Sequence, residues 1–151
     1  ENLAAFLRSS IAEREKDLAF VQEEMRLVDS YMKMQQIRFG ESLQYHVDIS
    51  NETYKHYLPS FTLQPLVENA IKHNSAVPNS PLHISIIEHE GRLTITNNIQ
   101  PRFGNEATSG MGLNNLAARY RLLVKDEIIV KNENQLFSVS VKILQNEDLD
   151  H

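Results

Sequence analysis

The sequence has 151 residues, of which 41% are hydrophobic and 23% charged, and this is enough for one globular domain with its own core. Fifteen Lys and Arg against 20 Asp and Glu give a net charge of −5 without a basic stripe, which disfavours nucleic-acid binding. With no cysteine there are no disulfides or thiolate metal sites, and the composition fits a reducing compartment. No apolar run approaches the roughly 18 residues that a transmembrane helix requires.

The first 40 residues have a helical pattern. Residues 1–16 are interpreted as the end of a helix that begins upstream, since the chain opens on Glu1 within that pattern. Asp17 is the predicted N-cap of a second helix, and Gly40 is its predicted C-terminal stop. The apolar seam of this helix has coiled-coil-like spacing and consists of Leu18, Val21, Met25, Val28 and Met32. Two interpretations stay open, namely packing on the sheet of the same domain or a dimer or interdomain contact.

The remaining elements follow from periodicity and turn residues. Strands are predicted over residues 43–49, 82–88, 92–98, 127–130 and 136–143, and helices over 62–74 and 113–123. Residues 51–60 and 75–81 are predicted loops, and the last residues, 145–151, are predicted to fray. Because hairpins dominate, we predict the α+β class, a two-layer α/β sandwich whose mixed, mostly antiparallel sheet carries helices on one face. The predicted division is a helical segment, 1–40, followed by a domain, 41–151.

The helix over residues 62–74 carries a polar stripe beside its apolar one. Pro65 fits only its first turn, and Asn69, Lys72 and His73 follow on the same edge. The amide oxygen of Asn69 is a hard donor of the kind that Mg²⁺ prefers, and Lys72 can pair with phosphate. Taken alone, this stripe is more typical of a solvated helix face.

Two glycines open the helix near residue 113. The segment Ser109-Gly110-Met111-Gly112-Leu113-Asn114-Asn115 contains two of only five glycines in the chain. Glycine at a helix start lets backbone N–H groups approach phosphate oxygens, and the helix N-terminus favours negative charge. A tight turn into the helix explains the same pattern without a ligand.

Asn97 is the third candidate. It shares a strand face with Leu93 and Ile95, so its side chain should point inward, where a polar group needs a partner. The partner is either the base edge of a ligand or a backbone group.

The helix over residues 62–74 and the glycine segment 109–115, in this order, resemble segments of the Bergerat-fold ATPases. Within that group they are most similar to the LytS-type sensor histidine kinases. Residues 64–73 resemble the N box of that family nearly residue for residue, and residues 110–115 resemble its second glycine box. Tyr31, Gln35 and the run Arg38-Phe39-Gly40 resemble the stretch before its first strand, and Arg119 and Arg121 lie on the helix after the second box. The resemblance covers roughly residues 15–143.

The resemblance implies an ATP-binding catalytic domain that uses Mg²⁺. It assigns the magnesium ligand to Asn69, the phosphate-side residues to Lys72 and His73, and the adenine contact to Asn97. Gly110, Met111, Gly112 and Leu113 correspond to the phosphate loop at the end of the ATP lid. The implied partners are a phosphoacceptor histidine domain of the same or a partner chain, a response regulator and, in the full-length protein, a second copy. The implied location is the cytoplasmic part of a membrane-anchored sensor.

The sequence departs from the family pattern in two places within the predicted nucleotide site. The usual Asp-Asn-Gly-x-Gly of the first glycine box is replaced by Asn97-Asn98-Ile99-Gln100-Pro101. The position four before Asn69, which holds a water-activating Glu in the ATP-hydrolysing relatives, is Pro65. The acceptor histidine is missing as well, because none of the six histidines has the family's Asn-Pro-His-Phe setting; they are His46, His56, His73, His83, His89 and His151.

The predicted function is therefore to hold Mg-ATP for phosphorylation of a histidine outside this chain. This chain alone should bind ATP without phosphorylating itself, so no catalytic side chain is assigned. One alternative is a degenerate nucleotide-binding or dimerisation module, which the loss of the first glycine box suggests. The other is an anti-sigma-type protein serine kinase, which the helix before the domain and the match around Arg38 disfavour.

Overall fold

A computed structural model describes residues 17–101 and 111–148, and predictions that fall on 1–16, 102–110 and 149–151 lie outside the described residues. The helices are α1 (Val21–Phe39), α2 (Leu63–His73) and α3 (Met111–Val124). The strands are β1 (Leu18–Phe20), β2 (Leu43–Asp48), β3 (Tyr57–Pro59), β4 (Leu82–His89), β5 (Arg92–Asn98), β6 (Ile129–Glu133) and β7 (Leu136–Lys142).

Five strands form one sheet in the order β2-β4-β5-β7-β6. The β2–β4 pair is parallel and the other three pairs are antiparallel. Alternate residues of β4 and β5 are buried, and they share one core with the apolar faces of the three helices. This one-sided burial confirms the predicted α+β class with a mixed sheet and helices on one face.

The apolar seam of α1 packs inside the domain. Val21 and Val28 are 0% exposed, Met25 is 3% and Met32 is 1%, and all four belong to the core shared with the sheet. Of the two interpretations of the seam, packing within the same domain is therefore the correct one for these side chains. The predicted division at residues 40 and 41 stays a prediction, although α1 shares its core with the strands that follow.

The predicted start of this helix is wrong. Asp17 is not its N-cap, and Leu18 lies in β1 instead of on the helix, because β1 pairs antiparallel with β3. The helix begins at Val21, where the carboxylate of Glu23 accepts the backbone N–H of Phe20 at 3.2 Å. The ring of Phe20 stacks on that of Tyr57, with 4.9 Å between the ring centroids, and stabilises the pairing of β1 with β3.

The segment predicted as a loop over residues 51–60 is also more ordered than expected. It contains a short 3₁₀ turn at Thr53–Lys55 and the strand β3. The strand was not predicted because it is only three residues long and its partners, β1 and Leu144, lie far away in the sequence.

Residues in left-handed backbone conformations terminate or join several elements. Gly40 ends α1 with φ +58° as predicted, and Glu90 and Gly91 turn β4 into β5 with φ +51° and +79°. Asn134 and Gln135 form the last hairpin turn, which was predicted around Asn132 and Asn134. Within the described ranges, no helix is long and apolar enough to cross a membrane.

The packing of α1 makes a stability prediction with a matched pair of substitutions. Met32→Ala should lower the free energy of unfolding by about 3 kcal/mol, because it removes a side chain that is 1% exposed and leaves a cavity. Met34→Ala, on the same helix at 62% exposure, should change it by about 0.5 kcal/mol or less. Urea denaturation of both variants measures the difference, and equal effects would contradict the assignment of the seam to this core.

Candidate functional site

Helix α2 separates its apolar and polar side chains as predicted. Leu63 and Val67 are 0% exposed, and they fix the helix on the core together with Ala70 and Ile71. Asn69 and Lys72 are exposed and His73 is half-buried, so the polar stripe lies on the outer side. Pro65 occupies the first turn of the helix, where its missing N–H costs no intrahelical hydrogen bond.

The C-terminal end of α2 is tied to the end of β5. The side chain of Asn74 accepts the backbone N–H of Gln100 at 2.7 Å and donates to the carbonyl of Ala70 at 2.8 Å. The backbone N–H of Ser75 donates to the carbonyl of Gln100 at 2.7 Å, and Asn74 pairs with Pro101 in an isolated bridge. The residues at the end of α2 and at the end of β5 therefore border one region of the molecule.

Asn98 and Gln100 fasten the loop between α2 and β4. Asn98 accepts the N–H of His83 at 2.7 Å and donates to the carbonyl of Pro81 at 3.1 Å. The amide nitrogen of Gln100 donates to the carbonyls of Ser75 at 3.0 Å and Ser80 at 2.9 Å. These amides stand beside Ile99 and Pro101, the two positions where the family pattern has glycines. Side-chain hydrogen bonds therefore fasten a segment that lacks the flexible glycine backbone of the family.

Asn97 points inward as predicted, with 5% of its surface exposed. Its amide nitrogen donates to the carbonyl of Asn98 at 2.9 Å, which is the backbone partner that one interpretation anticipated. The side-chain oxygen is the acceptor of this amide group, so it is the atom that can accept a hydrogen bond from a ligand.

The glycine segment is described only from the start of α3. Gly110 lies outside the described residues, Met111 and Gly112 are the first two residues of α3, and Leu113 is partly buried against the core. The helix is anchored by Leu116 and by Tyr120, whose hydroxyl donates to the carbonyl of Lys142 at 2.9 Å. Burial raises the pKa of this hydroxyl above its ordinary value.

Two further contacts hold the helices around α2. The guanidinium of Arg119 on α3 donates to the carbonyl of Ser60, just before α2 begins. The carboxylate of Glu24 on α1 accepts backbone N–H groups at the same turn. Neither contact was predicted, because each joins residues at least 37 positions apart and periodicity reports only local spacing.

The side chain of Glu68, which precedes Asn69 in sequence, is held by a residue of the same helix. Its side chain accepts a hydrogen bond from Gln64 at 2.8 Å, one turn earlier. Burial and the charge of Glu68 both raise the pKa of the Tyr31 hydroxyl on α1. Among the residues that the structure describes, no group of three or more His, Asp and Glu side chains is arranged to hold a metal ion.

Comparison with known sequences finds similarity to histidine kinases. A family model described as histidine kinase matches residues 1–43. The sensor histidine kinase YesM of Bacillus subtilis is 35% identical over 119 residues, which cover 75% of this chain and 20% of YesM. The sensor protein LytS of Streptococcus mutans is 32% identical over 139 residues, which cover 80% of this chain and 23% of LytS. Most of this chain is thus similar to a part of two sensor histidine kinases.

Comparison with solved structures agrees on the fold. The catalytic domain of the histidine kinase ThkA superimposes with a TM-score of 0.57 at 15% sequence identity, covering 83% of this chain and 97% of that domain. The likeness shows that the chain has the fold of this catalytic domain. The chain spans 20% of YesM and 23% of LytS.

The tie between α2, β5 and the intervening loop can be tested without a ligand. Gln100→Ala removes the two hydrogen bonds to the carbonyls of Ser75 and Ser80, so the free energy of unfolding should fall by about 1–2 kcal/mol. Amide hydrogen exchange of residues 75–80 should accelerate. Gln36→Ala, at an exposed position of α1, is the control and should change neither quantity. Unchanged exchange in Gln100→Ala would show that the amide does not fasten the loop.

Proposed function

We propose that this domain binds Mg-ATP beside the exposed edge of α2 and presents the γ-phosphate to a histidine that this chain does not supply. The observation that supports it most is the tie between Asn74 and Gln100. It places the end of the helix that bears Asn69, Lys72 and His73 next to the end of the strand that bears Asn97. The edge proposed to bind phosphate is thereby adjacent to the edge proposed to bind the base.

Each side chain has a role that its chemistry supports. The exposed amide oxygen of Asn69 would hold Mg²⁺, which neutralises phosphate charge when bound and keeps most of its other ligands as water and phosphate oxygens. Lys72 and His73 would face the phosphate chain, and Asn97 would accept a hydrogen bond from the adenine amino group. The segment from Gly110 to Leu113 would supply backbone N–H groups at the start of α3.

The surroundings of Asn69 favour phosphoryl transfer over hydrolysis. Pro65, four residues before Asn69, has no group that could activate water, and Glu68 is engaged with Gln64 on a different side of the helix. The domain's contribution would be positioning and charge neutralisation, with the nucleophile brought from elsewhere.

The proposal extends to the parts that this chain does not contain. The acceptor would be a histidine of a dimerisation hairpin, and the segment 1–40 would end that hairpin and lead into the domain 41–151. The phosphoryl group would then pass to an Asp of a response regulator, within a homodimeric sensor that is anchored in the membrane with this domain in the cytoplasm.

One observation favours a second candidate, a nucleotide site that has degenerated into a dimerisation module. Ile99 and Pro101 stand where glycines would allow a nucleotide to approach the backbone closely. The neighbouring amides of Asn98 and Gln100 also fasten this segment. The retained stripe of Asn69, Lys72 and His73 favours the nucleotide site instead, and the similarity to sensor histidine kinases disfavours a protein serine kinase.

Calorimetric titration with Mg²⁺ and a non-hydrolysable ATP analogue distinguishes the two candidates. Wild type should bind saturably, and Asn69→Ala should weaken the affinity at least about tenfold by removing a metal ligand. Asn51→Ala, an exposed Asn in the turn after β2, is the control and should bind like wild type. Chelation of Mg²⁺ should weaken wild type but should add little to the loss in Asn69→Ala. No saturable binding by wild type at millimolar analogue would support the degenerate module.

The adenine contact makes a separate prediction about base preference. The amide nitrogen of Asn97 is engaged with Asn98, so its oxygen would be the group offered to the base. An acceptor matches the amino group of adenine but not the carbonyl of guanine. ATP should therefore compete with a labelled ATP analogue about tenfold better than GTP does. Asn97→Ala should bring ATP down to the affinity of GTP. Equal competition by both nucleotides in wild type would remove Asn97 from the site.

A further inference from the structure

The carboxylate of Glu24 caps a helix to which it does not belong. Glu24 lies on α1 and is 3% exposed. Its two oxygens accept the backbone N–H groups of Phe61 at 3.1 Å, Thr62 at 2.7 Å and Leu63 at 3.2 Å, at the start of α2. Thr62, at the N-cap position, does not cap the helix itself, since its hydroxyl donates to the carbonyl of Pro59 at 2.5 Å.

The hydrogen bonds that the Glu24 carboxylate accepts are strong for two reasons. A carboxylate at a helix N-terminus satisfies N–H groups that have no intrahelical acceptor and lies at the positive end of the helix dipole. Hydrogen bonds to an ionised acceptor are roughly twice as strong as neutral ones. Because a buried charge is costly without such partners, α1 and α2 cannot slide past each other without losing them.

The turn that Glu24 holds receives contacts from two other parts of the chain. The backbone N–H of Ser60 donates to the carbonyl of Asp17, the first described residue, at 2.8 Å. The carbonyl of Ser60 accepts Arg119 from α3. Phe61 is 65% exposed with φ +61°, a conformation that is strained for an aromatic residue and persists only where the surroundings enforce it.

We infer that Glu24 is a positioning residue that couples the placement of α1 to nucleotide binding by α2, an inference that rests on the proposed function. Leu63 and Val67 are 0% exposed, so α2 is packed as a rigid unit. A shift at its first turn is therefore carried to Asn69 and Lys72, two to three turns along the helix. A displacement of the segment that precedes α1 would therefore change nucleotide affinity, although that segment does not contact the nucleotide.

The test compares Glu24→Gln with Met32→Ala, which opens a cavity on the same helix and leaves the cap intact. The amide of Gln has the size of the carboxylate but one acceptor oxygen and no charge, so it cannot serve all three N–H groups. At a temperature where both variants are fully folded, Glu24→Gln should bind the Mg²⁺–ATP analogue about tenfold more weakly than wild type. Met32→Ala should bind it as wild type does, despite its lower stability.

Glu24→Asp keeps the charge on a side chain that is one methylene shorter, so it should bind the analogue with intermediate affinity. If Glu24→Gln does not fold, Glu24→Asp replaces it in the test. NMR shifts of the α2 amides should change in the Glu24 variants before any nucleotide is added and should stay unchanged in Met32→Ala. Wild-type affinity in the Glu24 variants, or equal weakening in Met32→Ala, would overturn the coupling alone. Loss of saturable binding in wild type itself would overturn the proposed function and the coupling with it.

Discussion

The buried carboxylate of Glu24 determines where α2 begins. It is 3% exposed, and its partners are consecutive backbone N–H groups from Phe61 to Leu63. Moving it would leave a charge without partners in the core, which costs more than most single contacts in a small domain. The first turn of α2 is consequently fixed to α1, and α1 is in turn fixed to the sheet by its own buried seam.

The opposite end of α2 is fixed by amides. Asn74 joins the helix to Gln100, and Gln100 joins the strand end to the loop that follows the helix. A helix of eleven residues is marginal by itself in water, so these tertiary contacts at both ends supply the order that its length does not. Between them lies the exposed edge with Asn69, Lys72 and His73, whose spacing along the helix is therefore set by rigid backbone geometry.

Periodicity and turn residues were sufficient to predict α2, the β4–β5 hairpin, the class of the fold and the inward orientation of Asn97. Each of these depends on neighbours within about one helical turn or one strand. The start of α1 was wrong because β1 depends on β3, almost 40 residues away. Glu24 and Gln100 were not predicted for the same reason, since a carboxylate on a helix or an amide in a loop reads locally as a solvated side chain.

The replacement of the first glycine box has a structural meaning that the sequence pattern alone does not give. Glycines would let a ligand approach bare backbone, but their two positions are occupied here by Ile99 and Pro101. The neighbouring amides of Asn98 and Gln100 bond to three carbonyls and one N–H of the segment from Ser75 to His83. Asn97 then lies at the end of a fastened strand, with its nitrogen committed to Asn98. A base placed at this edge would meet one oriented acceptor on a rigid support. Specificity would come from that orientation, and the attraction that a charged Asp would add is absent.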